Sequence, residues 1–336
     1  MPDPTRPSRV RLVAIAVLGL LWLAAPWLGR TTAEATTSDA GVAAPVQGAQ
    51  GPPVDPEAAR QEMTPAKAAV LGLVEGVTEY LPVSSTGHLL VAQRAMDIGT
   101  EDGTKDAADS YAIAIQAGAI LAVLLLYHAR IRTLLAGLVG RDEQGRRVLT
   151  GLVLAFVPAA VVGLALESTI KDVLLGAWPV VVAWVVGGVA ILTLGVRLER
   201  RTDGTALEAM VPRQALIIGL AQCLALWPGT SRSLVTILAA LAVGLSVAAA
   251  VEFSFLLGLA TLGAATAYET LRNGGAMVDA YGVVDPLIGL VVAFVSAAVA
   301  IRWMVGYLQR HSLAIFGWYQ LGVGAVVAVL LITGAI

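Results

Sequence analysis

Two apolar segments of this chain are each interrupted by a proline and a short run of hydroxyl-bearing residues. The first, Gly72–Leu89, reads GLVEGVTEYLPVSSTGHL, and the second, Gly219–Thr236, reads GLAQCLALWPGTSRSLVT. A proline ring cannot continue the helical hydrogen-bond ladder, so each segment is predicted to form two half-helices joined by a turn. Half-helices of this length are too short to cross a bilayer, and the pattern therefore predicts two re-entrant hairpins.

Both segments also carry ionisable side chains inside apolar surroundings. Glu75 and Glu79 are four residues apart and share one face of a helix, and His88 follows the turn. The second segment carries Arg232 in place of the acids. Each intramembrane charge costs roughly 2.5–3.5 kcal/mol on insertion scales, so such residues usually belong to a site. Paired interrupted segments in two halves of a chain are typical of inverted-repeat membrane proteins with a site near the midplane.

Composition excludes an ordinary soluble domain. Hydrophobic residues make up 57% of the chain and charged residues only 14%, whereas about a quarter of the residues are charged in soluble proteins. The net charge of −2 gives no information about nucleic acid, but no basic patch with interleaved aromatic residues is present, so a nucleic-acid partner is not expected. Cys223 is the single cysteine, so no intrachain disulfide is expected.

The rest of the chain from Pro65 onward predicts an all-α, polytopic membrane protein. Arginines cluster after the first and third apolar spans, so those segments are expected to be cytoplasmic. The second hairpin then enters from the face opposite to the first, as inverted repeats require, with halves of about 65–196 and 214–336. Six spans are predicted between and after the hairpins: Ser110–Tyr127, Thr150–Leu166, Ala177–Val196, Ala248–Leu271, Pro286–Ile301 and Leu313–Ile336.

The segment that precedes this membrane domain divides into two parts. Basic residues followed by an apolar run from Leu12 to Leu28 are typical of a signal peptide or a signal anchor, and residues 1–35 fit either one. Residues 36–64 are rich in Ala, Gly, Pro and Thr without hydrophobic periodicity, which predicts a disordered extracytoplasmic linker. The Gly-rich segment Arg272–Asp285 is expected to be an outer loop.

The stretches EGVTEYLPVSSTGH and PGTSRSLVT resemble the two signature motifs of the undecaprenyl-diphosphate phosphatase family, also called the bacitracin-resistance BacA/UppP family. The similarity extends from about Pro65 to the C-terminus. It includes YAIAIQAGAILAV around Gln116, QCLALWPG, and EFSFLL at Glu252–Leu257.

This resemblance implies an integral membrane enzyme that removes the terminal phosphate from undecaprenyl diphosphate. The product is the lipid carrier of peptidoglycan synthesis, and overproduction of the enzyme confers bacitracin resistance. The site is implied to open to the extracytoplasmic side of the bacterial cell membrane. The catalytic roles of the family fall on Glu75, Glu79, Ser85, His88 and Arg232.

The residue types in the two motifs suit a phosphate ester. Arg232 offers a planar fork of donors to phosphate oxygens, and Glu75 and Glu79 could hold a divalent cation, Mg²⁺ or Ca²⁺, between phosphate groups. Turn hydroxyls and amides could contact the remaining oxygens. The candidate phosphate-binding residues are Ser84, Thr86, Gln116, Ser231, Ser233 and Thr236.

Several alternatives stay open at this stage. The nucleophile is Ser85, His88 or a metal-held water. Gln116 either lines the site or makes an interhelical hydrogen bond. Glu252 is either a helix-capping or packing residue with its charge at the interface, or a support for Arg232. The competing function is a polyprenyl-phosphate transporter or flippase, because the inverted-repeat architecture is common among transporters. The sequence also leaves a homodimer open.

Overall fold

Helices form the whole of the regular secondary structure in the part of the chain described by the computed structural model. This finding confirms the expected all-α class. The predicted signal segment 1–35 and residues 36–55 of the predicted linker lie outside the described residues. The described ranges are 56–99, 104–170, 174, 176–200 and 204–336.

Six of the described helices are long and apolar enough to cross a membrane, which confirms the six predicted spans. The principal helices are α1 Pro56–Glu62, α2 Pro65–Thr78, α3 Ser85–Ala95, α4 Lys105–Leu126, α5 His128–Leu138, α6 Glu143–Thr169, α7 Ala177–Glu199, α8 Pro212–Gln222, α9 Arg232–Ala242, α10 Val247–Tyr281, α11 Val284–Leu308 and α12 Ala314–Thr333. The six candidate spans are α4, α6, α7, α10, α11 and α12, and α7 contains a π-helical turn at Ile191–Gly195.

Two pairs of shorter helices, α2–α3 and α8–α9, occupy the positions of the predicted hairpins. The 14 residues of α2 reach only about 21 Å, which is less than the roughly 30 Å of a hydrocarbon core. Serine hydroxyls cap the second helix of each pair: Ser84 accepts from Gly87 N–H at 3.4 Å, and Ser231 accepts from Leu234 N–H at 3.2 Å. The re-entrant path of both pairs through a bilayer stays a prediction.

The two halves of the domain interlock through the first helix of each pair. Helix α2 packs against α11, a span of the second half, and α8 packs against α6, a span of the first half. Small residues make the first contact possible, since a Cβ on Gly72 would lie 2.3 Å from the carbonyl oxygen of Gly289. The second contact is equally close, with 2.5 Å from a Cβ on Gly219 to the carbonyl oxygen of Ala155. Such stripes of small residues bring membrane helices into backbone contact.

The prediction of an outer loop over Arg272–Asp285 is wrong for most of that range. Helix α10 continues through the paired glycines to Tyr281. Met277, Ala280 and Tyr281 follow the spacing of one helix face, and all three are buried in a cluster with Tyr111 of α4. Tertiary burial of this face therefore outweighs the low helix propensity of the glycines.

Two other segments expected to be irregular are also helical. The end of the predicted linker forms α1, and the Glu62 carboxylate accepts from Gly99 N–H at 2.8 Å and from the Thr104 hydroxyl at 3.0 Å. The first arginine-rich segment, expected to be a loop, contains α5. His128 begins that helix and is exposed. For α1, contacts with distant residues order a segment that has no strong local pattern.

We expect Gly72→Ala to lower the melting temperature of the purified protein in detergent. The added methyl group meets a backbone carbonyl, which has no rotamer to change, and such overpacking costs about 1–3 kcal/mol. Gly306→Ala is the matched control, because Gly306 lies in α11 with open space around its Cβ position. Equal melting temperatures for the two variants would contradict the proposed backbone contact between α2 and α11.

Candidate active site

The turn of the first helix pair is held by donors from three other helices. After α2 ends at Thr78, three successive carbonyls accept hydrogen bonds from side chains of α9, α12 and α7. Backbone that is broken inside a membrane protein must be satisfied by protein groups in this way. The three bonds run from Ser233 Oγ to Leu81 O at 2.8 Å, from Gln320 Nε2 to Pro82 O at 2.7 Å, and from Trp184 Nε1 to Val83 O at 2.9 Å.

The turn of the second pair packs against the start of α7. Gly229 has a φ of +90°, and a Cβ there would lie 2.7 Å from the Cα of Val180. Glycine is therefore needed at this position both for backbone conformation and for space. The indole N–H of Trp227 donates to the carbonyl of Pro179 at 3.3 Å. Helix α9 then begins at Arg232.

The carboxylate of Glu79 joins the two turns. One of its oxygens accepts from the hydroxyl of Ser85, and the other accepts from Arg232 Nη2 at 3.0 Å. The Glu79 side chain is 5% exposed and that of Arg232 is 11% exposed, so this ion pair between the two halves is buried. Ser85 and Arg232 are the first residues of α3 and α9, whose N-termini carry partial positive charge. The centre of the site is thus suited to an anion.

Arg232 is held in one orientation by three further groups. Its Nη1 donates to the carbonyl of Ser254 at 3.0 Å, and its guanidinium lies over the Tyr80 ring at 5.4 Å. Gly258 leaves room for it, because a Cβ there would lie 2.3 Å from Nη1. A guanidinium that is stacked and hydrogen-bonded in this way presents its remaining donors in a defined direction.

Glu75 lies beside Glu79, the other acid of the site, and interacts with it electrostatically. The side chain is fully buried, and neither carboxylate oxygen has a hydrogen bond within the described residues. A buried polar group without a hydrogen-bond partner is costly, so these oxygens are suited to a ligand that arrives with positive charge or with donors. No group of three or more His, Cys, Asp or Glu side chains that could hold a metal ion occurs in the described ranges. A cation at Glu75 and Glu79 would therefore need oxygens from a bound phosphate, and hard cations accept such mixed oxygen ligands.

His88 is oriented by two hydrogen bonds. Its Nδ1 lies 2.7 Å from the carbonyl of Ser84, which can only accept, so Nδ1 carries the proton in the neutral ring. Nε2 then accepts from the hydroxyl of Tyr319 at 2.8 Å. The ring also stacks on Tyr319 and meets the edge of Trp184. Among the described side chains, the hydrogen-bond partner of the Ser85 hydroxyl is Glu79, not His88.

The hydroxyls predicted to bind phosphate have structural contacts. Ser231 caps α9 and lies 3.0 Å from the Ser233 hydroxyl, which holds the Leu81 carbonyl. The Thr236 hydroxyl lies 2.7 Å from that of Ser254 and also donates to the carbonyl of Arg232. These three residues therefore position the second turn. Phosphate binding by them stays a prediction.

The remaining predicted phosphate ligands differ in their surroundings. Ser84 has a φ of 71°, a left-handed conformation that costs a non-glycine residue about 1–3 kcal/mol and is concentrated at functional sites. Thr86 is exposed. Gln116 is half-buried and makes no hydrogen bond to another side chain or carbonyl in the described part of the chain, so the interhelical bond considered for it is not formed there. Contacts of these residues with phosphate stay predictions.

Glu252 makes a packing contact with a neighbouring helix in the described structure and does not cap its own helix. Ser246 caps α10, and Glu252 pairs with Arg130 of α5 at 2.6 Å. Arg130 also contacts Glu208 at 2.7 Å. The pKa of the Glu208 carboxyl lies below its usual range because its own backbone N–H and Arg130 bind the charged form. This network joins α5 to α10, and it has no hydrogen bond to Arg232 in the described structure.

Four contacting residues were missed by the sequence analysis: Tyr80, Trp184, Tyr319 and Gln320. Each is a side chain with a polar group in an otherwise apolar helix or turn. Such groups need a partner in a membrane, and this is the signal that could have identified them. Their partners were not predictable, because Trp184 and Gln320 lie 101 and 238 residues from the carbonyls they bind.

Comparison with known proteins gives consistent results. A family model described as "Bacitracin resistance protein BacA" matches residues 68–326. A relative from Sorangium cellulosum named "Undecaprenyl-diphosphatase" is 45% identical over 263 residues, which cover 77% of this chain and 84% of the relative. "Undecaprenyl-diphosphatase 2" of Rhodospirillum rubrum is 45% identical over 264 residues, covering 78% and 93%. A Burkholderia mallei protein named "Undecaprenyl-diphosphatase" is 44% identical over 262 residues, covering 77% and 92%.

We expect Trp184→Phe to destabilise the protein by about 1–3 kcal/mol, the cost of leaving the buried Val83 carbonyl without a donor. The phenyl ring keeps most of the apolar contact, so the hydrogen bond is the main loss. Trp178→Phe on the same helix is the control, because Trp178 is 50% exposed. Thermal unfolding in detergent compares the two. A Trp184→Phe protein as stable as Trp178→Phe would show that the turn does not depend on this donor.

Proposed function

We infer the function of this chain from its family, because the chain belongs to the bacitracin resistance protein BacA family. It hydrolyses undecaprenyl diphosphate to undecaprenyl phosphate and inorganic phosphate. The family match covers most of the chain, and relatives at about 45% identity are named undecaprenyl-diphosphatases. The enzyme is a multi-pass membrane hydrolase with six spans. Its reaction recycles the lipid carrier of cell-wall synthesis, and bacitracin resistance is associated with the family.

The observation that carries this proposal is the contact of Glu79 with both Ser85 and Arg232. A serine hydroxyl on a carboxylate is the arrangement of a nucleophile with its general base. A guanidinium beside them neutralises the charge of a transferred phosphoryl group. A translocator would need the guanidinium to bind a head group, but it would have no use for an activated hydroxyl.

The reaction follows from these contacts. The terminal phosphate of the substrate binds Arg232 and competes with Glu79 for the guanidinium, which frees the carboxylate to take the Ser85 proton. Ser85 Oγ forms a bond to the terminal phosphorus while the bond from that phosphorus to the bridging oxygen breaks. Undecaprenyl phosphate leaves with the bridging oxygen, and water then hydrolyses the phosphoserine to release phosphate and regenerate the hydroxyl. In-line attack with charge neutralisation is what phosphoryl transfer requires.

Ser85 is favoured over His88 as the nucleophile by hydrogen bonding. The Nε2 lone pair of His88 is occupied by the Tyr319 hydroxyl, whereas Ser85 already contacts its base. We therefore assign His88 a role in the second stage of the reaction, the hydrolysis of the phosphoserine. Its ring is held in place beside the site by Ser84 and Tyr319. Attack by water held on a cation would bypass Ser85, and Ser85→Ala separates the two routes.

A divalent cation, Mg²⁺ or Ca²⁺, fits the acidic side of the site. Glu75 and Glu79 would hold it together with phosphate oxygens of the substrate, and it would supply charge neutralisation at the diphosphate. The support is the pair of Glu75 oxygens that are buried without a hydrogen-bond partner in the described structure. The other residues of the site would bind and orient the phosphate and would not coordinate the cation.

We place the site on the extracytoplasmic side of the bacterial cell membrane. The support is the distribution of arginine, which clusters in α5, around the start of α6 and after α7, and the positive-inside rule assigns these segments to the cytoplasm. Helix α2 would then begin on the outer face and carry Glu75 and Glu79 inward from it.

We expect Glu79→Gln to lower kcat for phosphate release by about 10²–10⁴-fold, the usual contribution of a general base. Ser85→Ala should abolish release if a phosphoserine forms, whereas Ser85→Ala with nearly full activity would favour attack by water. The assay uses purified protein and undecaprenyl diphosphate in detergent. Glu143→Gln is the control, because Glu143 lies exposed at the start of α6. A native protein that binds polyprenyl phosphate but releases no phosphate from undecaprenyl diphosphate would support the transporter function and overturn the phosphatase.

Chelation tests the cation separately. Treatment with excess EDTA should remove phosphate release, and added Mg²⁺ or Ca²⁺ should restore it. Glu75→Gln should weaken the apparent affinity for the restoring cation, because it removes a charged oxygen ligand. Full activity in excess chelator would rule out the cation and leave the serine route intact.

A further inference from the structure

An apolar groove of about 780 Å³ lies between α2, α11 and α12. We call it the valine groove, and its walls include Val77 of α2, Val291, Val295 and Val299 of α11, and Phe316 of α12. The three α11 valines are 50–64% exposed and face outward from the helix bundle. A recess of this size is within the range of specific ligand sites.

The two buried hydroxyls that line the valine groove already donate hydrogen bonds within the protein. The hydroxyl of Thr78 donates to the carbonyl of Val74 at 2.7 Å, and the hydroxyl of Ser296 donates to the carbonyl of Val292 at 2.7 Å. Every other lining residue except Tyr319 is apolar or presents only the indole of Trp303. A phosphate or a sugar would lose its hydration there without compensation. The groove is therefore suited to a long hydrocarbon chain.

The valine groove borders the turn that carries the active-site residues. Leu81 and Val83 line it, and both lie in the turn between Glu79 and Ser85. Tyr319 also lines it, and its hydroxyl contacts His88 Nε2 at 2.8 Å. The same tyrosine thus has its ring in the groove and its polar end at the site. A molecule with a phosphate head and an apolar tail would find both surfaces adjacent.

We propose that the valine groove binds the polyprenyl chain of the substrate while the diphosphate lies at Glu79 and Arg232. This inference rests on the proposed phosphatase function. The commitment to the substrate tail, in preference to an acyl chain of a bilayer phospholipid, comes from the shared boundary at Leu81, Val83 and Tyr319. A chain anchored in the groove places its diphosphate at the turn and holds the reacting phosphorus near Ser85.

The experiment fills the groove and compares two substrates of different chain length. Val295→Trp places an indole in the groove. Phosphate release is then measured with undecaprenyl diphosphate and with farnesyl diphosphate. The farnesyl chain is short and would occupy only a small part of the groove. KM for undecaprenyl diphosphate should rise about tenfold or more, while kcat/KM for farnesyl diphosphate should change less than twofold. Val299→Trp, at a position 64% exposed, repeats the test if the first variant does not fold.

Val153→Trp is the matched control. Val153 is a 53% exposed valine on α6, which contributes no residue to the groove, and both KM values should stay unchanged there. Equal loss with both substrates in the groove variants, or no loss with either, would overturn the tail site, and the second outcome is expected if bilayer phospholipid occupies the groove. If the unmodified protein hydrolyses neither substrate, the phosphatase proposal fails instead, so the two failures are distinguishable.

Discussion

The structure depends on how broken backbone is satisfied inside a membrane. Three successive carbonyls of the first turn accept side-chain donors, one each from α9, α12 and α7. A buried carbonyl that loses its donor costs about 1–3 kcal/mol. The three surrounding helices therefore stabilise the turn. The same contacts determine where Glu79 and Ser85 point, so the stability of the fold and the geometry of the site have one cause.

Charge in the site is divided between the two halves. The first half supplies Glu75 and Glu79, and the second supplies Arg232, which pairs with Glu79 across the interface. The sequences of the two turns show how this asymmetry arises, since Glu75 and Gln222 each lie three residues after the glycine that opens its segment. Both side chains are buried, and the polar atoms of both lack hydrogen-bond partners within the described residues.

Local patterns predicted most of the architecture correctly, and their failures have a common cause. Hydropathy gave the six spans, and prolines in apolar segments gave both helix pairs. The extension of α10 to Tyr281 was missed because glycines suggested a loop, while burial against Tyr111 keeps the segment helical. The helix at the end of the linker was missed because Glu62 is ordered by residues about forty positions away. Each error is a case in which a distant contact outweighs local propensity.

The sequence alone determined the membrane class, the spans, the two interrupted segments and the presence of residue types suited to phosphate, because hydropathy, helix period and proline stereochemistry act over a few residues. Only the tertiary structure decided that the Ser85 hydroxyl binds Glu79, that His88 binds Tyr319, and that α2 and α8 each pack in the opposite half. Those pairings join residues as many as 231 positions apart. They depend on which small residues allow backbones to touch and on which donors reach the carbonyls of the turn, and no local pattern contains that information.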